Sequence, residues 1–478
     1  MTTSIPTPAK FTSSSSSGDG FEAWNSSRLA PLGEWMRTHG GLLQAVQWCV
    51  VAAYVVLVAV PAFLPLPPED AHWYDNLVVA AQWLFWGLWW PLVIASMFVL
   101  GRTWCGVFCP EGTLTEAASR HGLGRGVPRW LRWGGWPFVA FALTTVFGQL
   151  VSVYQYATAT LLVLGGSTLA AVAVGFVYGK GKRVWCRHLC PVNGVFAILA
   201  RMSPLHFRVD PSAWSASAGR VRPHPVNCAP MVRIRRMKGP SECHMCARCS
   251  NLHGAIVLAA RVPGGEIARL DLAEVRAWDA ALIVFGMIGL AIGAFEWSAT
   301  PWFVNLRTAL ADHILDRGPA WLLADNAPWW LLTNYPDAHD VFTWLDGALI
   351  VGWIVGTGLI LGGFITICLA LASLPAHGIW RRACALSYAL TPLAGIGLFV
   401  GLSALTVGLA KSEGLQVHAL PTLRCALLGA GAAWSLWLAY RQLRSRATRS
   451  RLAFALLAFS LGVVGILSAW YPFVFRAG

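Results

Sequence analysis

Long apolar runs separated by short polar stretches make up most of the chain. Nine of them come near or exceed the roughly 20 residues that a membrane-spanning helix requires. They are 43–66, 77–100, 132–152, 158–179, 278–295, 341–372, 386–410, 419–440 and 452–473. The sixth is too long for one straight span, so its first turns are expected to tilt or to lie in the interface. Residues 1–42 break the pattern. They are polar, with the run Ser13 to Ser17 and only three basic residues, and read as a disordered tail. The first apolar run is long and lacks a small-residue cleavage pattern, so a removed signal peptide is not expected. The stretch 180–277 is also poor in periodic apolar runs and is punctuated by Pro204, Pro211, Pro223, Pro225 and Pro230. Such a segment is expected to form loops wrapped on a cofactor. The predicted fold is an all-α polytopic membrane protein of about nine transmembrane helices with one loop-rich segment outside the bilayer. Its parts are a tail, 1–42; two repeated hairpins, 43–191; the loop-rich segment, 192–277; and a five-helix module, 278–478, with a loop at 296–340.

Composition agrees with this reading and adds a direction. The chain is 56% hydrophobic and 12% charged, about half the charge of a soluble domain. That excludes a soluble enzyme, and the hydrophobicity excludes a disordered chain. The net charge of +14 is unevenly placed. Segment 101–132 carries Arg102, Arg120, Arg125, Arg129 and Arg132 against two Glu, and 180–277 has sixteen Lys and Arg against five Asp and Glu. Arg381, Arg382 and the run Arg441 to Arg451 fall on the same side if the N-terminus is inside. The opposite loops are acidic, with Glu69, Asp70 and Asp75 in one and Glu296, Asp312, Asp316, Asp325, Asp337 and Asp340 in another. By the positive-inside rule the N-terminus and 180–277 are cytoplasmic, and the C-terminus and 296–340 are external. The basic charge is thereby read as a marker of sidedness that also attracts anionic lipid, and nucleic acid is not expected as a partner.

The cysteines carry the chemistry. Arg102-Thr-Trp104-Cys105-x3-Cys109-Pro110 and Arg183-Val-Trp185-Cys186-x3-Cys190-Pro191 share the pattern R-x-W-C-x3-C-P, 81 residues apart. Each follows the second helix of a hairpin, which makes an internal repeat. A third group, Cys243-x2-Cys246-x2-Cys249, opens like a bacterial ferredoxin signature, but His253 stands where the fourth Cys would be. Cys228 lies 15 residues upstream. Eight thiolates suffice for two [4Fe–4S] clusters at four each. Two partitions are open at this point. One gives a cluster to the paired C-x3-C motifs and a second to Cys228, Cys243, Cys246 and Cys249; the other completes the C-x2-C-x2-C run with a Cys-Pro thiolate. Iron–sulfur is favoured over zinc because C-x2-C-x2-C is too tight for a usual zinc knuckle. Disulfides are not expected on a cytoplasmic face. Cys49, Cys368 and Cys425 lie inside spans and Cys384 at a span boundary, and all four read as structural.

Paired C-x3-C-P motifs at the ends of membrane hairpins, followed by ferredoxin-like Cys, resemble the polytopic membrane ferredoxin family. Its members include the quinol-oxidising membrane subunit of nitrate reductase systems, the membrane regulator of nitrous oxide reductase and the membrane ferredoxin of bacterial ferrous-iron uptake. The resemblance covers 43 to about 260. It implies that the eight Cys hold [4Fe–4S] centres, that 192–277 is a cytoplasmic ferredoxin-like segment, and that the chain sits in a bacterial inner membrane. The Ser/Thr-Gly-Ala-Thr motif that carries covalent flavin in some members is absent, since Ser298-Ala299-Thr300 lacks the Gly. The five extra spans are most like the iron-uptake member.

These features predict an electron-transfer component working between the quinone pool or the cytoplasm and a periplasmic redox or metal-binding partner, with other membrane subunits as further partners. The rival reading is a redox-sensing regulator or transporter subunit with structural or sensory clusters. No Walker motif, no G-x-G-x-x-G after a strand and no H-E-x-x-H points to a soluble-type active site. None of the nine spans contains His, which argues against membrane haem and leaves quinone as a lipid-phase carrier, or Trp-rich helices with cofactors supplied by a partner subunit. Asp346 in span six and Arg424 in span eight are functional candidates as intramembrane charges, either paired or forming a polar site for quinone or protons. Trp83, Trp86, Trp89 and Trp90 line span two and read chiefly as packing residues. The loop 296–340, with Trp302, Trp321, Trp329, Trp330 and Tyr335, reads equally as a docking surface and as a segment lying on the membrane. The basic run Arg233 to Lys238 reads first as lipid-facing and second as a tuner of cluster potential.

Overall fold

The computed structural model describes residues 19–68, 70–217, 225–237, 239–374, 378–415, 418–444 and 449–476. It is mostly helical. Among the described residues, eight helices are long and apolar enough to cross a membrane: Gly40–Phe63, Leu77–Leu100, Ala157–Tyr178, Ala277–Glu296, Trp344–Ala372, Ile379–Ser412, Leu420–Arg444 and Arg449–Phe475. They match eight of the nine predicted spans. The third, predicted at 132–152, is a shorter apolar helix, Trp136–Leu150. Pro137 sets its first turn, and at the other end the chain turns at Ser152, whose φ is +48°. At 15 residues and about 1.5 Å per residue it reaches only about 22 Å, less than the ~30 Å hydrocarbon core.

The helices nevertheless run alternately between two ends. At one end the cysteine repeats meet: Gln47 donates to the Gly106 carbonyl at 2.8 Å, and Gln442 to that of Ile267 at 2.8 Å. At the opposite end Thr333 N–H donates to the Leu150 carbonyl at 2.8 Å, and His72 faces Glu413 at 3.0 Å. The largest core is built mainly from the helices after residue 190, around Leu199, Ile283, Tyr388, Leu393 and Phe459.

Several expectations are corrected. The fold is not wholly α. Strands β1 (Leu205–Val209) and β2 (Ile256–Ala260) pair antiparallel, Leu205 opposite Ala260. They close the loop-rich segment at its base and build a small second core of Phe207, Ile256 and Leu258. The polar tail is helical over Asp19–Thr38; its Leu29 and Met36 pack against that second core, which gives a short amphipathic run a surface to fold on. Residues 1–18 of the predicted tail lie outside the described residues, as do Glu69 and Lys238. The predicted loop 296–340 contains the helix Pro301–Arg317 and a second strand pair, β3 (Asn334–Tyr335) with β4 (Asp340–Val341).

Asp346 and Arg424 do not meet. Because residues 340–341 belong to β4, the sixth span begins only at Trp344, and Asp346 falls in its first turn. There it closes a capping box with Thr343 and pairs with Arg307. Arg424 is buried elsewhere, over the Phe473 ring at 4.9 Å.

Candidate metal centre

Both repeats build the same local turn. The Cys109 N–H donates to the Trp104 carbonyl at 2.8 Å, and the Cys190 N–H to the Trp185 carbonyl at 3.1 Å. The first is a widened five-residue coil, a form of helix distortion common at functional sites; in the second the Trp185 carbonyl accepts from Leu189 N–H at 2.9 Å as well. The turn sets the two sulfurs of each W-C-x3-C unit on one side of a tight coil. Gly101, with φ of +60°, ends the preceding span so that the first unit can turn back under it.

The two units face each other. Cys109 lies within electrostatic reach of Cys186 and Cys105, and Cys190 within reach of Cys186, Cys109 and Cys105. The other four sulfurs form a second set: Cys243 faces Cys249, Cys246 and Cys228, and Cys249 faces Cys246 and Cys228. Burial pushes the Cys186 and Cys249 thiols up to about 12, and those of Cys109, Cys190 and Cys243 well above their ordinary value. Metal must displace these protons, so loading is favoured as pH rises. Cys49, Cys368, Cys384 and Cys425 join neither set; Cys384 and Cys368 are buried in helices.

The loop of the second set has an unusual run of left-handed turns. Met245, Ala247, Asn251 and His253 all have φ between 54° and 59°. Left-handed residues alternating with ordinary ones make nests of backbone N–H groups, a form typical of iron–sulfur sites, and strain of this kind gathers at functional sites. One such N–H, of Met245, donates to Cys243 Sγ at 3.3 Å; in the first set Gly112 N–H donates to Cys109 Sγ at 3.3 Å. The His253 ring lies tilted against Trp214, 4.5 Å between centroids and 44° between planes. Among the described residues no three His, Cys, Asp or Glu side chains converge as a single ion requires. A [4Fe–4S] cubane instead spreads four thiolates over four irons, and two sets of four buried or half-buried cysteines beside N–H nests fit that group.

Residues overlooked in the sequence hold the sets together. Arg102 and Arg183 are both at most 3% exposed, so they are not the lipid-facing loop charges they resemble. Arg102 of the first repeat donates to the Ser241 carbonyl at 2.8 Å and to Asn193 Oδ1 at 2.6 Å. Arg183 of the second reaches back to the Cys105 carbonyl at 2.6 Å and Glu116 Oε2 at 2.8 Å. Burial works to raise the Glu116 carboxyl, but Arg183 and Arg248 outweigh it and hold the group below its usual range. Arg183 faces Cys186 of one set and Cys246 of the other. Glu111, next to the first pair, accepts from Ser167 at 2.7 Å and Trp185 Nε1 at 3.1 Å. The signal was present: an Arg precedes the Trp-Cys at the same offset in both repeats.

Arg183→Met should therefore lower stability and iron content together. Stripping one partner from a buried ion pair costs about 3–5 kcal/mol. The lower end is expected, because Arg248 still pairs with Glu116 at 2.7 Å. Thermal unfolding of the detergent-solubilised protein beside iron analysis checks this; an unchanged melting curve would place the guanidinium outside the support of the site.

Residues 82–133 and 162–210 match the family described as 4Fe-4S binding domain. The matched segments contain Cys105 and Cys109, and Cys186 and Cys190, while Cys228, Cys243, Cys246 and Cys249 lie outside them. No curated protein and no solved structure matches the chain. The two matched segments indicate [4Fe–4S] binding and, set on eight helices apolar enough to cross a membrane, fit a membrane iron–sulfur protein.

Proposed function

We propose that this chain is a multi-pass electron-transfer protein of a bacterial inner membrane, holding two [4Fe–4S] clusters on its cytoplasmic side. Cys105, Cys109, Cys186 and Cys190 hold one; Cys228, Cys243, Cys246 and Cys249 hold the other. The observation that carries this reading is the direct contact between the two sets. A Cβ placed on Gly106 would sit 2.0 Å from the His244 carbonyl oxygen and 2.9 Å from the Cys246 nitrogen. The backbone between two ligands of one set thus rests on the backbone between two ligands of the other. When bound, the clusters supply reversible one-electron chemistry. The chain's residues position them: Arg102 and Arg183 offset their negative charge in a dry site, the N–H nests bond their sulfurs, and the packed loop excludes water.

In this reading electrons pass between the quinone pool or a cytoplasmic donor and a periplasmic redox or metal-binding partner. The resemblance to the iron-uptake member makes ferrous-iron uptake the setting. The positive-inside charge pattern supports a cytoplasmic N-terminus and a periplasmic C-terminus.

Anaerobic purification with iron, sulfide and zinc analysis tests the reading. About eight iron ions per chain and signals from two reduced clusters are expected; zinc without iron defeats it. Reduction of the clusters by quinol at a useful rate separates electron transfer from a purely sensory role, in which cluster loss alters binding and leaves electron flux intact.

A further inference from the structure

A line of aromatic rings runs from the first cysteine pair toward the opposite end of the molecule. Trp104, which precedes Cys105, meets Trp89 edge to face at 5.2 Å. Trp89 touches Phe85 at 5.8 Å, and Phe85 touches Trp86 at 5.0 Å. Trp86 meets Tyr154 at 4.6 Å and donates from Nε1 to Thr160 Oγ1 at 3.4 Å. The same hydroxyl donates to the Val153 carbonyl at 2.7 Å, with the Tyr156 carbonyl beside it at 3.1 Å. Tyr156 then lies flat on Tyr335, 3.6 Å between centroids and 11° between planes. Phe85, Trp86 and Tyr156 are buried in one core. Interface tryptophans sit at the headgroup level with their polar edge toward water; these rings run inward from the cysteines.

The far end has its own chemistry. The Tyr156 hydroxyl donates to Asp340 Oδ2 at 2.7 Å. Burial, and then the Asp340 carboxylate, hold the phenol above its ordinary range. The ring is therefore neutral and has a proton acceptor in place.

We propose that Trp104, Trp89 and Trp86, with Tyr154 against the last of them, form a relay for one-electron oxidising equivalents that crosses the Thr160 turn and ends in a redox-active Tyr156–Asp340 pair. Neutral indole and phenol rings are hard to reduce, but they give up an electron to a strong oxidant. The line is thus idle while clusters exchange electrons at low potential, and it conducts only when an oxidant appears. The oxidant class is the hydroxyl or alkoxyl radical that peroxides yield at reduced iron. Such a radical takes one electron from Trp104 and a proton from water, becoming water or an alcohol and leaving a hydroxide, which the proton later released by the quinol neutralises. The vacancy moves ring to ring. Tyr156 finally loses one electron while its phenolic proton passes to Asp340, leaving a neutral tyrosyl radical and a carboxylic acid. A quinol at that end returns one electron, becoming a semiquinone and releasing a proton to water, and the phenolic proton goes back from Asp340; two semiquinones then disproportionate to quinone and quinol. The cysteine end is thereby spared oxidation.

The relay rests on the cluster reading only for the source of its oxidant, and the test separates the two. Iron is assayed first. Iron-loaded, anaerobically reduced protein is mixed with cumene hydroperoxide, freeze-quenched and examined by EPR, with and without ring-deuterated tyrosine. A tyrosyl signal narrowed by the label is expected. Tyr156→Phe should lose it, Trp89→Phe should lose it or divert it to an indole radical, Asp340→Asn should weaken it, and Tyr471→Phe, an exposed ring elsewhere, should keep it. If the chain carries no iron, the cluster reading fails, and photogenerated ruthenium(III) tris-bipyridine supplies the oxidant instead. With either oxidant, a full tyrosyl signal in Tyr156→Phe, one untouched by Trp89→Phe, or no tyrosyl signal in the parent overturns the relay.

Discussion

Cys186→Ser, purified without oxygen, is expected to hold about half the iron of the parent, roughly four ions per chain instead of eight, and to show one of two reduced cluster spectra. The expectation follows from which sulfurs face one another. Cys186 lies among Cys105, Cys109 and Cys190, whereas Cys228 has Cys246 as its cysteine neighbour. A cubane short of one thiolate loses an iron ligand in a site built to exclude water, and the serine hydroxyl is a poor substitute. Cys243→Ser should remove the complementary species and leave the first. If either single change abolished both spectra, the clusters would be sharing ligands across the sets, and the mixed partition left open by the spacing would return. If neither changed the iron content, the eight Cys would not be the ligands at all.

The candidate cysteines stand out in the sequence because metal-binding groups leave local spacing: C-x3-C-P twice, then C-x2-C-x2-C. Grouping them was not, since Cys105 and Cys186 are brought together by helices whose contacts no local pattern records. The buried arginines show the same limit. Arg102 and Arg183 read as loop charges because sidedness can be counted along a chain, while their partners lie far away in it: Ser241 for one, and Cys105 and Glu116 for the other. Spans were legible wherever a long apolar run stood alone. The third came out short because turns at both ends consume its flanks. Asp346 looked like an intramembrane charge only because the helix was started three residues early; β4 and its capping box place it at the helix mouth. The helix at Asp19–Thr38 was missed because its folding surface, the second core, is formed more than 160 residues later.

Gly106→Ala should have an effect out of proportion to one methyl group. The new Cβ would lie 2.0 Å from the His244 oxygen and 2.9 Å from the Cys246 nitrogen, and both are backbone atoms with no rotamer to escape into. The glycine side cannot retreat. The Gly106 carbonyl is held by Gln47, and the Cys105 carbonyl by the buried Arg183 guanidinium. The loop from Cys243 to Cys249 must move instead, out of the left-handed turns that aim its N–H groups. Overpacking of this kind costs about 1–3 kcal/mol, and here it falls on the loop that carries Cys243, Cys246 and Cys249. The expected result is a protein that keeps the spectrum of the Cys105–Cys190 set, loses iron from the second set, and no longer shows the magnetic coupling that two adjacent reduced clusters produce. Gly40→Ala, where the added Cβ meets nothing within 4 Å, is the matched control. Iron content and line shapes in Gly106→Ala identical to the parent would mean that the two sets do not abut through this residue. The short path between the clusters would then have to run elsewhere, for instance past Arg183, which faces Cys186 on one side and Cys246 on the other.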